Sequence, residues 1–445
     1  MDASHLLNKK GCALGFLGLG KSNLSLIEGL PRGRRIVLRS DKTIDRAKIP
    51  KNVVVDKIYE GPAALDDIRE DILVLSPSVR RERAELDAAA RRGVVLSSDC
   101  EMFFERTKTS VIGVSGSSGK STTSTLTHLA LGGEARGIRL VGNVGVPMLH
   151  SINRDTVGYV AELSSFMLQY FTPRLHRYAL TNITPNHLDF HKDFEEYKAA
   201  KLRPLRLCGA GVICADDSVL ASEKYAELFA VYSARESLCD LVAKYSAEVY
   251  FTVENGYILR NGEKILEIGS LTRTDRYSIL NVECALALAD GLVDREYAID
   301  AVRRFKGLAH RCETVHSYGG VDFIDSSIDT TPERCSATLE LLARRVVLLL
   351  GGRGKGLSYD VMIPPVLKYA RFAVLFGEEA EKIFSALSGR VECAVRPDFS
   401  DAVRLAASVA NKGEAVLLSP ACTSYDAFSS FEERGDKFAS IVRSL

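Results

Sequence analysis

Short apolar runs alternate with amphipathic segments along most of this 445-residue chain. In the N-terminal part, strand-like runs lie at 12–18, 35–38, 71–76 and 94–97. Helix-like segments at 21–28 and 80–92 stand between them. Alternation of strands with helices is typical of a parallel sheet built from βαβ units. The pattern therefore predicts an α/β protein.

The alternating pattern restarts further along the chain. A new strand–turn–helix unit opens at Thr109, and another α/β series begins after Leu308. In that last series, strands are predicted at 321–324, 346–350, 373–376 and 415–418, with a helix at 332–342. At about 150 residues per domain, this length suggests roughly three domains. We predict boundaries that give domains 1–107, 108–307 and 308–445, each a mostly parallel sheet flanked by helices.

The middle of the chain carries a different local signal. Asn255-Gly256 and Asn261-Gly262 separate short alternating runs, and Asn-Gly is the strongest short signal for a β-hairpin turn. A helical stretch over 279–290 follows. We therefore expect a few antiparallel strands before the third domain begins.

The charge balance narrows the functional classes. Lys and Arg together number 58 and Asp and Glu 57, so the formal net charge is +1. This balance argues against a general binder of nucleic acid or of anionic membranes. The longest purely apolar run, 346–350, is far shorter than the ~20 residues of a membrane span. The ten cysteines contain no C-x-x-C pair, and we expect them to be small core residues of a cytoplasmic protein.

The clearest chemical signal is the segment 111–123, VIGVSGSSGKSTT. A strand-like run enters a Gly/Ser loop that leads into a helix. Gly116 and Gly119 let the backbone wrap phosphate oxygens, while the helix N-terminus offers free N–H groups. Lys120 would neutralise phosphates and Ser121 could bind Mg²⁺. The spacing departs from the standard phosphate loop, which needs a glycine where this chain has Val114.

This shortened loop resembles that of the Mur ligases and their relatives, the folylpolyglutamate synthetases. Ser115 and Ser118 stand where those proteins usually carry Thr and Asn. Further motifs of the family follow in its order: Gly142-Asn143-Val144-Gly145, Glu162-Leu163-Ser164-Ser165-Phe166, Asn186-His187-Leu188-Asp189, Tyr197 to Lys201, Asn281, His310-Arg311 and Asp325-Ser326.

Both ends of the chain resemble the branch of the family that adds D-glutamate. Gly18-Leu19-Gly20-Lys21-Ser22 is similar to its UDP-binding turn, and the segments 418–428 and 431–435 are similar to its C-terminal motifs. The resemblance implies ATP-dependent addition of D-glutamate to UDP-N-acetylmuramoyl-L-alanine through an acyl phosphate. It implies a monomeric enzyme of cytoplasmic peptidoglycan synthesis, with a P-loop-type central ATPase domain between Rossmann-like terminal domains that bind the UDP substrate and the amino acid.

Three alternatives stay open at this point. Two are enzymes, another Mur ligase or a folylpolyglutamate synthetase, although the N-terminal domain argues against the folate enzyme. The third is a regulatory protein that binds a nucleotide without catalysis. Retention of Lys120, Glu162, His187 and Lys201 together argues against this last class.

The resemblance also implies a set of site residues. Lys120, Glu162, His187 and Lys201 would be catalytic, and Ser121, Glu162, His187 and a carbamylated Lys201 would bind Mg²⁺. ATP contacts are implied for Gly116, Ser117, Ser118, Gly119, Lys120, Ser121, Thr122, Asn281, Arg311 and Asp325. Contacts to the UDP substrate are implied for Gly20, Lys21, Ser22, Ser40, Asp41, Ser76, Asn143 and Ser164. Lys355, Ser424 and the Phe431 backbone would hold the incoming amino acid.

Several of these residues have a plain structural reading as well. Taken alone, Lys201 suits a solvated helix lysine, and Lys198 on the same helical face is a competing candidate. Glu162 suits a solvated strand end. His187 and His191 have the spacing of a zinc pair on a helix, but Pro185 disfavours a helix there. We therefore expect His191 to be an ordinary surface residue.

Two positions depart from the family pattern. Ser327 stands in Asp325-Ser326-Ser327 where the best-known D-glutamate-adding members carry Lys, and Met167 follows the Ser-Ser-Phe motif where Gln is common. Ser327 removes a positive charge that the resemblance places near the incoming amino acid.

Overall fold

The computed structural model describes residues 3–188 and 190–445, and it confirms the predicted α/β class. The strands form three separate sheets. By its internal contacts the chain divides into two compact units between Phe305 and Lys306. We call them the first and the second unit. The domain boundaries near 107 and 307 stay predictions.

The first sheet occupies the N-terminal part of the first unit and is wholly parallel, in the order β3-β2-β1-β4-β5. Its strands and the helices around it are α1 (Ala3–Asn8), β1 (Leu14–Leu17), α2 (Lys21–Glu28), β2 (Arg34–Ser40), β3 (Val53–Glu60), β4 (Ile72–Leu75), α3 (Ala84–Arg91), β5 (Val95–Ser97) and α4 (Asp99–Arg106). β1 and β4 are buried along their whole length. The strand order reverses between them, and this is where doubly wound sheets bind ligands.

The second sheet fills the rest of the first unit, in the order β14-β13-β12-β11-β10-β9-β6-β8-β7. Its elements are β6 (Val111–Ser115), α5 (Lys120–Ala130), β7 (Ile138–Gly142), β8 (Gly158–Glu162), α6 (Ser165–Leu168), β9 (Arg177–Leu180), α7 (Phe194–Leu205), β10 (Gly211–Cys214), α8 (Ser218–Ser222), β11 (Leu228–Ser233), α9 (Leu238–Lys244), β12 (Ala247–Glu254), β13 (Tyr257–Arg260), β14 (Glu263–Glu267), α10 (Arg276–Ala289) and α11 (Arg295–Arg303). β8 and β9 flank β6, so their carboxyl ends lie beside the start of the phosphate loop.

Two hairpins extend this sheet with antiparallel strands, as predicted. β12 pairs with β13, and β13 pairs with β14. Asn255, Gly256, Asn261 and Gly262 all have positive φ angles. Positive φ at both central residues is the conformation of a type I′ turn, which Asn-Gly adopts at low cost.

The second unit is built on a six-stranded sheet in the order β15-β16-β20-β17-β18-β19, parallel except for the β15–β16 pair. Its elements are β15 (Glu313–Tyr318), β16 (Val321–Asp325), α12 (Pro332–Leu342), β17 (Val346–Gly351), α13 (Ile363–Tyr369), β18 (Ala370–Phe376), α14 (Ala380–Leu387), β19 (Glu392–Val395), α15 (Phe399–Val409), β20 (Ala415–Leu418) and α16 (Phe431–Val442). β17 and β20 are fully buried, which explains their continuous apolar sequences.

The cysteines are all free thiols, and most are buried or half-buried. The expectation that they are core residues is wrong for Cys239, which is exposed. It lies on α9, a short helix with Leu241 as its buried residue, so its remaining positions face the surface. Among the described residues, no helix is both long and apolar enough to cross a membrane.

Candidate active site

The phosphate loop joins the buried strand β6 to helix α5, as predicted. Gly116 has a φ of 149°, and a side chain there would collide with the Thr181 hydroxyl. Gly119 has a φ of 80°, and a Cβ atom there would lie 2.6 Å from Oδ1 of Asn281. Gly119 is also the N-cap of α5, and because it has no side chain it cannot accept a hydrogen bond from the first N–H groups of the helix. The loop therefore requires glycine at both positions, and it leaves helix N–H groups available to an anion.

Two lysines converge on one carbonyl oxygen of this loop. Nζ of Lys120 donates to the carbonyl oxygens of Gly116, at 2.9 Å, and of Ser117, at 3.0 Å. Nζ of Lys201, on α7, donates to the same Gly116 oxygen at 2.8 Å and to the Ser115 hydroxyl at 3.0 Å. The structure thus brings together two of the four residues for which a catalytic role is implied.

Lys201 is only 1% exposed, so the reading of it as a solvated lysine is wrong. Burial, and then the charge of Lys120, lowers the pKa of Lys201 well below its usual value. Lys198 differs: its ammonium pairs with Glu195 at 2.8 Å and Glu223 at 3.5 Å. The structure therefore separates the two candidates, and Lys201 is the one that reaches the phosphate loop.

Glu162 ends β8, next to β6, and is completely buried. One carboxylate oxygen, Oε1, accepts a hydrogen bond from the Asn143 side chain at 2.8 Å. The other, Oε2, has no hydrogen-bond partner among the described residues. The reading of Glu162 as a solvated strand end is therefore wrong. An unpartnered buried carboxylate oxygen is costly, and a bound cation would satisfy it.

Asn281 reaches the phosphate loop from helix α10. Its Oδ1 accepts a hydrogen bond from the Thr123 hydroxyl at 3.1 Å and lies against Gly119. Ser121 and Thr122 form the first turn of α5 and are half-buried. These residues of the implied ATP contacts are thus gathered around one loop.

His187 lies in the loop after β9 and is exposed. Its φ is 54°, and its ring lies 4.8 Å from the Phe166 ring, centroid to centroid. Phe166 belongs to the Glu162–Phe166 motif, so two separate motifs are in contact. Asp189, the last residue of the His187 motif, lies outside the described residues.

His191 is 1% exposed, so the expectation of a surface residue is wrong. Its ring packs among those of Phe166, Phe190 and Tyr197, at centroid distances of 6.0, 5.0 and 5.3 Å. Its Nδ1 lies 3.6 Å from a carboxylate oxygen of Glu196. Burial lowers the pKa of His191 below its usual value. The four-residue spacing of His187 and His191 gave no indication that aromatic rings would cover His191.

Further hydrogen bonds support the loop, and the sequence analysis did not predict them. The Ser117 hydroxyl shares a 2.7 Å hydrogen bond with Tyr197 and accepts one of 2.8 Å from the Thr184 backbone N–H. The backbone N–H of Ser118 donates to the Asn182 side chain at 2.8 Å. Asn182 follows β9, which pairs with β6. A polar residue just after a neighbouring parallel strand was the signal that could have revealed it.

The implied UDP-binding turn lies where the order of the first sheet reverses. Gly18 and Gly20 follow β1, Lys21 and Ser22 begin α2, and Ser76 follows β4. A Cβ atom on Gly18 would lie 2.9 Å from that of Ser76, so the two turns touch. The structure therefore brings these residues close together, and their contact with UDP stays a prediction.

The other implied UDP contacts lie in two places. Ser40 and Asp41 lie at the end of β2, and both oxygens of the Asp41 carboxylate accept from Arg83, at 2.8 and 2.7 Å. The Arg83 hydrogen bond lowers the pKa of Asp41. Asn143 and Ser164 lie instead beside the second sheet. Asn143 holds Glu162, and the Ser164 hydroxyl caps α6 by accepting from the Met167 backbone at 3.3 Å.

Arg80 connects these two parts of the first unit and was also missed. It lies in the segment after β4, close to Ser76 in sequence. Its guanidinium pairs with Glu196 at 3.3 Å and donates to the backbone carbonyl of Phe190, in the loop that carries His187. Arg80 therefore ties the segment that follows the implied UDP-binding turn to the loop of a catalytic candidate.

In the second unit, Asp325 ends β16 and is fully buried. Its Oδ2 hydrogen bonds to Nδ1 of His310 at 2.7 Å, and its Oδ1 accepts from the Ser327 backbone at 2.8 Å. The hydrogen bond to Asp325 raises the pKa of His310. Arg311, the other ATP contact implied for this unit, is the half-buried neighbour of His310.

The implied amino-acid contacts lie at the same sheet. Lys355 follows β17, and its ammonium donates to the Thr330 hydroxyl at 3.1 Å. Ser424 is buried in the segment between β20 and α16, and its carbonyl oxygen accepts from the backbone N–H of Phe428 at 2.8 Å. Phe431 begins α16, and its carbonyl accepts from the Ser327 hydroxyl at 2.8 Å.

Comparison with known proteins identifies the family. The model of the Mur ligase middle domain matches residues 114–289, and the model of the Mur ligase, glutamate ligase domain matches 310–422. The UDP-N-acetylmuramoylalanine–D-glutamate ligase of Acetivibrio thermocellus is 32% identical, over 98% of this chain and 97% of its own. That of Methylobacillus flagellatus is 34% identical, over 96% of each chain. The chain belongs to the Mur ligase family.

Solved structures of other Mur ligases share the fold. The UDP-N-acetylmuramate–alanine ligase of Thermotoga maritima covers 97% of this chain, with a TM-score of 0.61, 16% identity and 99% of its own chain covered. The MurF ligase of the same organism, in complex with ADP, has a TM-score of 0.54 and 16% identity, over 99% of this chain and 98% of its own. They confirm the three-domain α/β architecture expected for a Mur ligase.

Membership of the Mur ligase family makes this chain an ATP-dependent ligase. The phosphate loop and the Glu162 motif both lie within the matched middle domain. Lys355 lies within the matched glutamate ligase domain, whereas Ser424 and Phe431 lie just beyond it. The regulatory, non-catalytic alternative is therefore not favoured.

Proposed function

We propose that this Mur ligase joins D-glutamate to UDP-N-acetylmuramoyl-L-alanine, with cleavage of ATP to ADP and phosphate. The observation that carries the chemistry is the convergence of Lys120 and Lys201 on the phosphate loop beside the buried Glu162. The choice of substrates is supported by relatives of that name, aligned over nearly the whole chain.

The reaction has two steps. A carboxylate is a poor electrophile, so a carboxylate oxygen of the UDP substrate first attacks the γ-phosphorus of ATP. ADP leaves and an acyl phosphate remains. The amine nitrogen of D-glutamate then attacks the acyl carbon, loses a proton, and phosphate departs as the amide bond forms. Two anions must meet in the first step, so the site must neutralise charge.

In this proposal the phosphate loop binds and orients the triphosphate. Backbone N–H groups at the start of α5 and the ammonium of Lys120 surround the phosphates, assisted by Gly116, Ser117, Ser118, Gly119, Ser121 and Thr122. Asn281, Arg311 and Asp325 would also contact the nucleotide. Because Lys120 is already held by two carbonyl oxygens, little reorganisation is needed when ATP arrives.

The residues also fit Mg²⁺, which prefers oxygen ligands. The buried, unpartnered Oε2 of Glu162 is the observation that supports this fit. We propose that Ser121, Glu162, His187 and a carbamate on Lys201 would hold the metal. When bound, Mg²⁺ would neutralise phosphate charge.

The surroundings of Lys201 support the proposal of a carbamate on its side chain. A charged ammonium beside Lys120 would repel both that lysine and a metal, and burial already disfavours the charged form. The nitrogen of an uncharged amine can attack the carbon of CO₂; an N–C bond forms, one C=O π bond opens, a proton is released to solvent, and a carbamate anion remains. We propose that Lys201 works in this modified form.

The substrate contacts complete the proposal. Gly20, Lys21, Ser22, Ser40, Asp41 and Ser76 would bind the UDP part, with Asn143 and Ser164 nearer the reacting end. Lys355, Ser424 and the Phe431 backbone would hold D-glutamate. Both substrates are small molecules, and the proposal places a monomeric enzyme in the cytoplasm, in peptidoglycan precursor synthesis.

The test is ligation by the purified chain. Phosphate release is measured with ATP, Mg²⁺ and UDP-N-acetylmuramoyl-L-alanine, against a panel of D-glutamate, L-glutamate, L-lysine and diaminopimelate, and the product mass is recorded. We expect turnover with D-glutamate and rejection of L-glutamate, because the wrong enantiomer would leave a buried polar group unpaired. Better turnover with L-lysine or diaminopimelate would assign the chain to a sister ligase.

A further inference from the structure

Ser327 stands where the family pattern carries Lys, and its side chain points into the core of the second unit. Ser327 is fully buried, and its hydroxyl donates to the Phe431 carbonyl at 2.8 Å. The buried guanidinium of Arg434 donates to the same hydroxyl at 2.9 Å and to the Ser327 carbonyl at 2.9 Å. A lysine at this position would place its charge against Arg434. Position 327 therefore cannot supply the positive charge that the family pattern places near the incoming amino acid.

Two other cations are attached to the loop that follows Ser327. The Lys355 ammonium donates to the Thr330 hydroxyl at 3.1 Å, and Nη1 of Arg334 donates to the Ile328 carbonyl at 3.1 Å. Their anchor points are two residues apart on one loop. The charge of Arg334, after burial, lowers the pKa of Lys355, which shows that the two cations are neighbours.

Neither cation has a carboxylate oxygen within salt-bridge distance in the described part of the chain. Glu333 acts on Lys355, and Arg334 on the buried Asp329, only through their charges at longer range. By contrast, Arg353, on the same turn as Lys355, pairs with Glu378 at 2.7 Å. Two neighbouring cations without a salt-bridge partner form a surface patch suited to a dianion.

We propose that Arg334 and Lys355 together bind the two carboxylates of the incoming amino acid, with Arg334 supplying the charge that Ser327 lacks. This inference rests on the proposed function. The amine of D-glutamate must stay free to attack, so its α- and γ-carboxylates are the groups left for recognition. The planar guanidinium of Arg334 offers paired N–H donors that match a carboxylate.

The test compares Arg334→Ala, Arg334→Lys and Arg334→Glu with a matched control, Arg404→Ala, on the exposed face of α15. Among the residues that the structure describes, Arg404 forms a salt bridge with Asp401, one turn away, and with no other carboxylate. We expect Arg334→Ala to raise the KM for D-glutamate about tenfold to a hundredfold, the range for losing a charged hydrogen bond. The KM for ATP and kcat should change little. Arg334→Lys should recover part of the affinity, and Arg334→Glu should lose saturation by D-glutamate.

D-glutamine, which lacks one carboxylate, sharpens the result. The wild type should prefer D-glutamate strongly, and Arg334→Ala should lose most of that preference. An unchanged KM for D-glutamate in Arg334→Ala, or an equal loss in Arg404→Ala, would overturn the inference.

Calorimetric titration of D-glutamate into wild type and Arg334→Ala separates this inference from the proposed function. Binding that depends on Arg334, without turnover, would support the inference and overturn the function. Turnover with binding that is independent of Arg334 would do the reverse. Neither binding nor turnover with D-glutamate would overturn both.

Discussion

The phosphate loop of the first unit and the amino-acid site proposed for the second unit each contain two neighbouring cations, but the cations are held differently. Lys120 and Lys201 converge on one backbone carbonyl, and Lys201 is buried. Lys355 and Arg334 are exposed, and each donates a hydrogen bond to the loop that follows Ser327. Charges that must be in place when the transition state forms are preorganised in a desolvated site. If Lys355 and Arg334 select the incoming substrate as proposed, they do so while in contact with water.

The largest effect should come from the phosphate region. Lys120→Ala should reduce kcat about a thousandfold or more, because a fixed cation at a phosphate site contributes to the transition state. The fold should be retained, since Lys120 is half-buried and its described hydrogen bonds go to carbonyl oxygens of its own loop. Phosphate release measures the loss of kcat, and the thermal unfolding midpoint shows whether the fold is retained. Normal turnover in the folded variant would show that the loop is misassigned.

The second prediction separates Lys201 from Lys198. Lys201→Ala should be inactive in the same assay, yet partly rescued by added acetate, which supplies a carboxylate oxygen in place of the carbamate. Lys198→Ala, on the same helix but paired with Glu195 and Glu223, should need no rescue. Equal inactivation of both variants, or no effect of acetate at any concentration, would argue against the carbamate.

The third prediction concerns Arg434, a buried cation with a structural task. Its guanidinium donates to carbonyl oxygens of Ser327, Cys422 and Thr423. Arg434→Met should destabilise the protein by about 3 kcal/mol or more, since several buried carbonyls would lose their donors. Thermal unfolding measures the loss, with Arg404→Met as the exposed control. If Arg434→Met unfolds at the wild-type temperature but loses D-glutamate binding, Arg434 belongs to the substrate pocket instead.

The smallest effect should be a pH dependence in the second unit. Asp325 raises the pKa of His310 above its ordinary 6.5. The protonated pair therefore stabilises the folded state fully below pH 6.5, and this stabilisation is lost as pH rises through the folded pKa. The unfolding midpoint of the wild type should fall toward that of His310→Gln over this window. NMR titration should show a lower pKa for His310 in Asp325→Asn, and an unchanged pKa would exclude Asp325 as the cause.

Much of the fold could be predicted because its signals are local. The buried strands β17 and β20 appear as apolar runs, the Asn-Gly turns mark the hairpins, and α12 begins at a proline, Pro332. β3 went unassigned because it lies at the edge of its sheet and is only half-buried, so its sequence mixes apolar and charged residues. Boundaries were less accurate where helices begin without a strong cap, as α3 does.

The candidate site was predicted less completely, because its remaining signals are not local. Lys201 lies 85 residues from the carbonyl it contacts, and Arg434 lies 107 residues from Ser327. The burial of His191 depends on aromatic rings brought together by the fold. Motif order predicted which residues would form the site, whereas their burial and hydrogen-bond partners required the tertiary structure.

The hairpins that follow Asn255 and Asn261 also affect how this protein behaves in a crowded solution. They make β14 the last strand at one side of the nine-stranded sheet. β14 is five residues long, and Glu263, Lys264 and Glu267 on it are exposed. A short edge strand rich in charge is a poor template for another chain, whereas a long, flat, apolar edge invites aggregation. The appended strands thus end a large sheet in a form that resists uncontrolled growth by pairing with its neighbours.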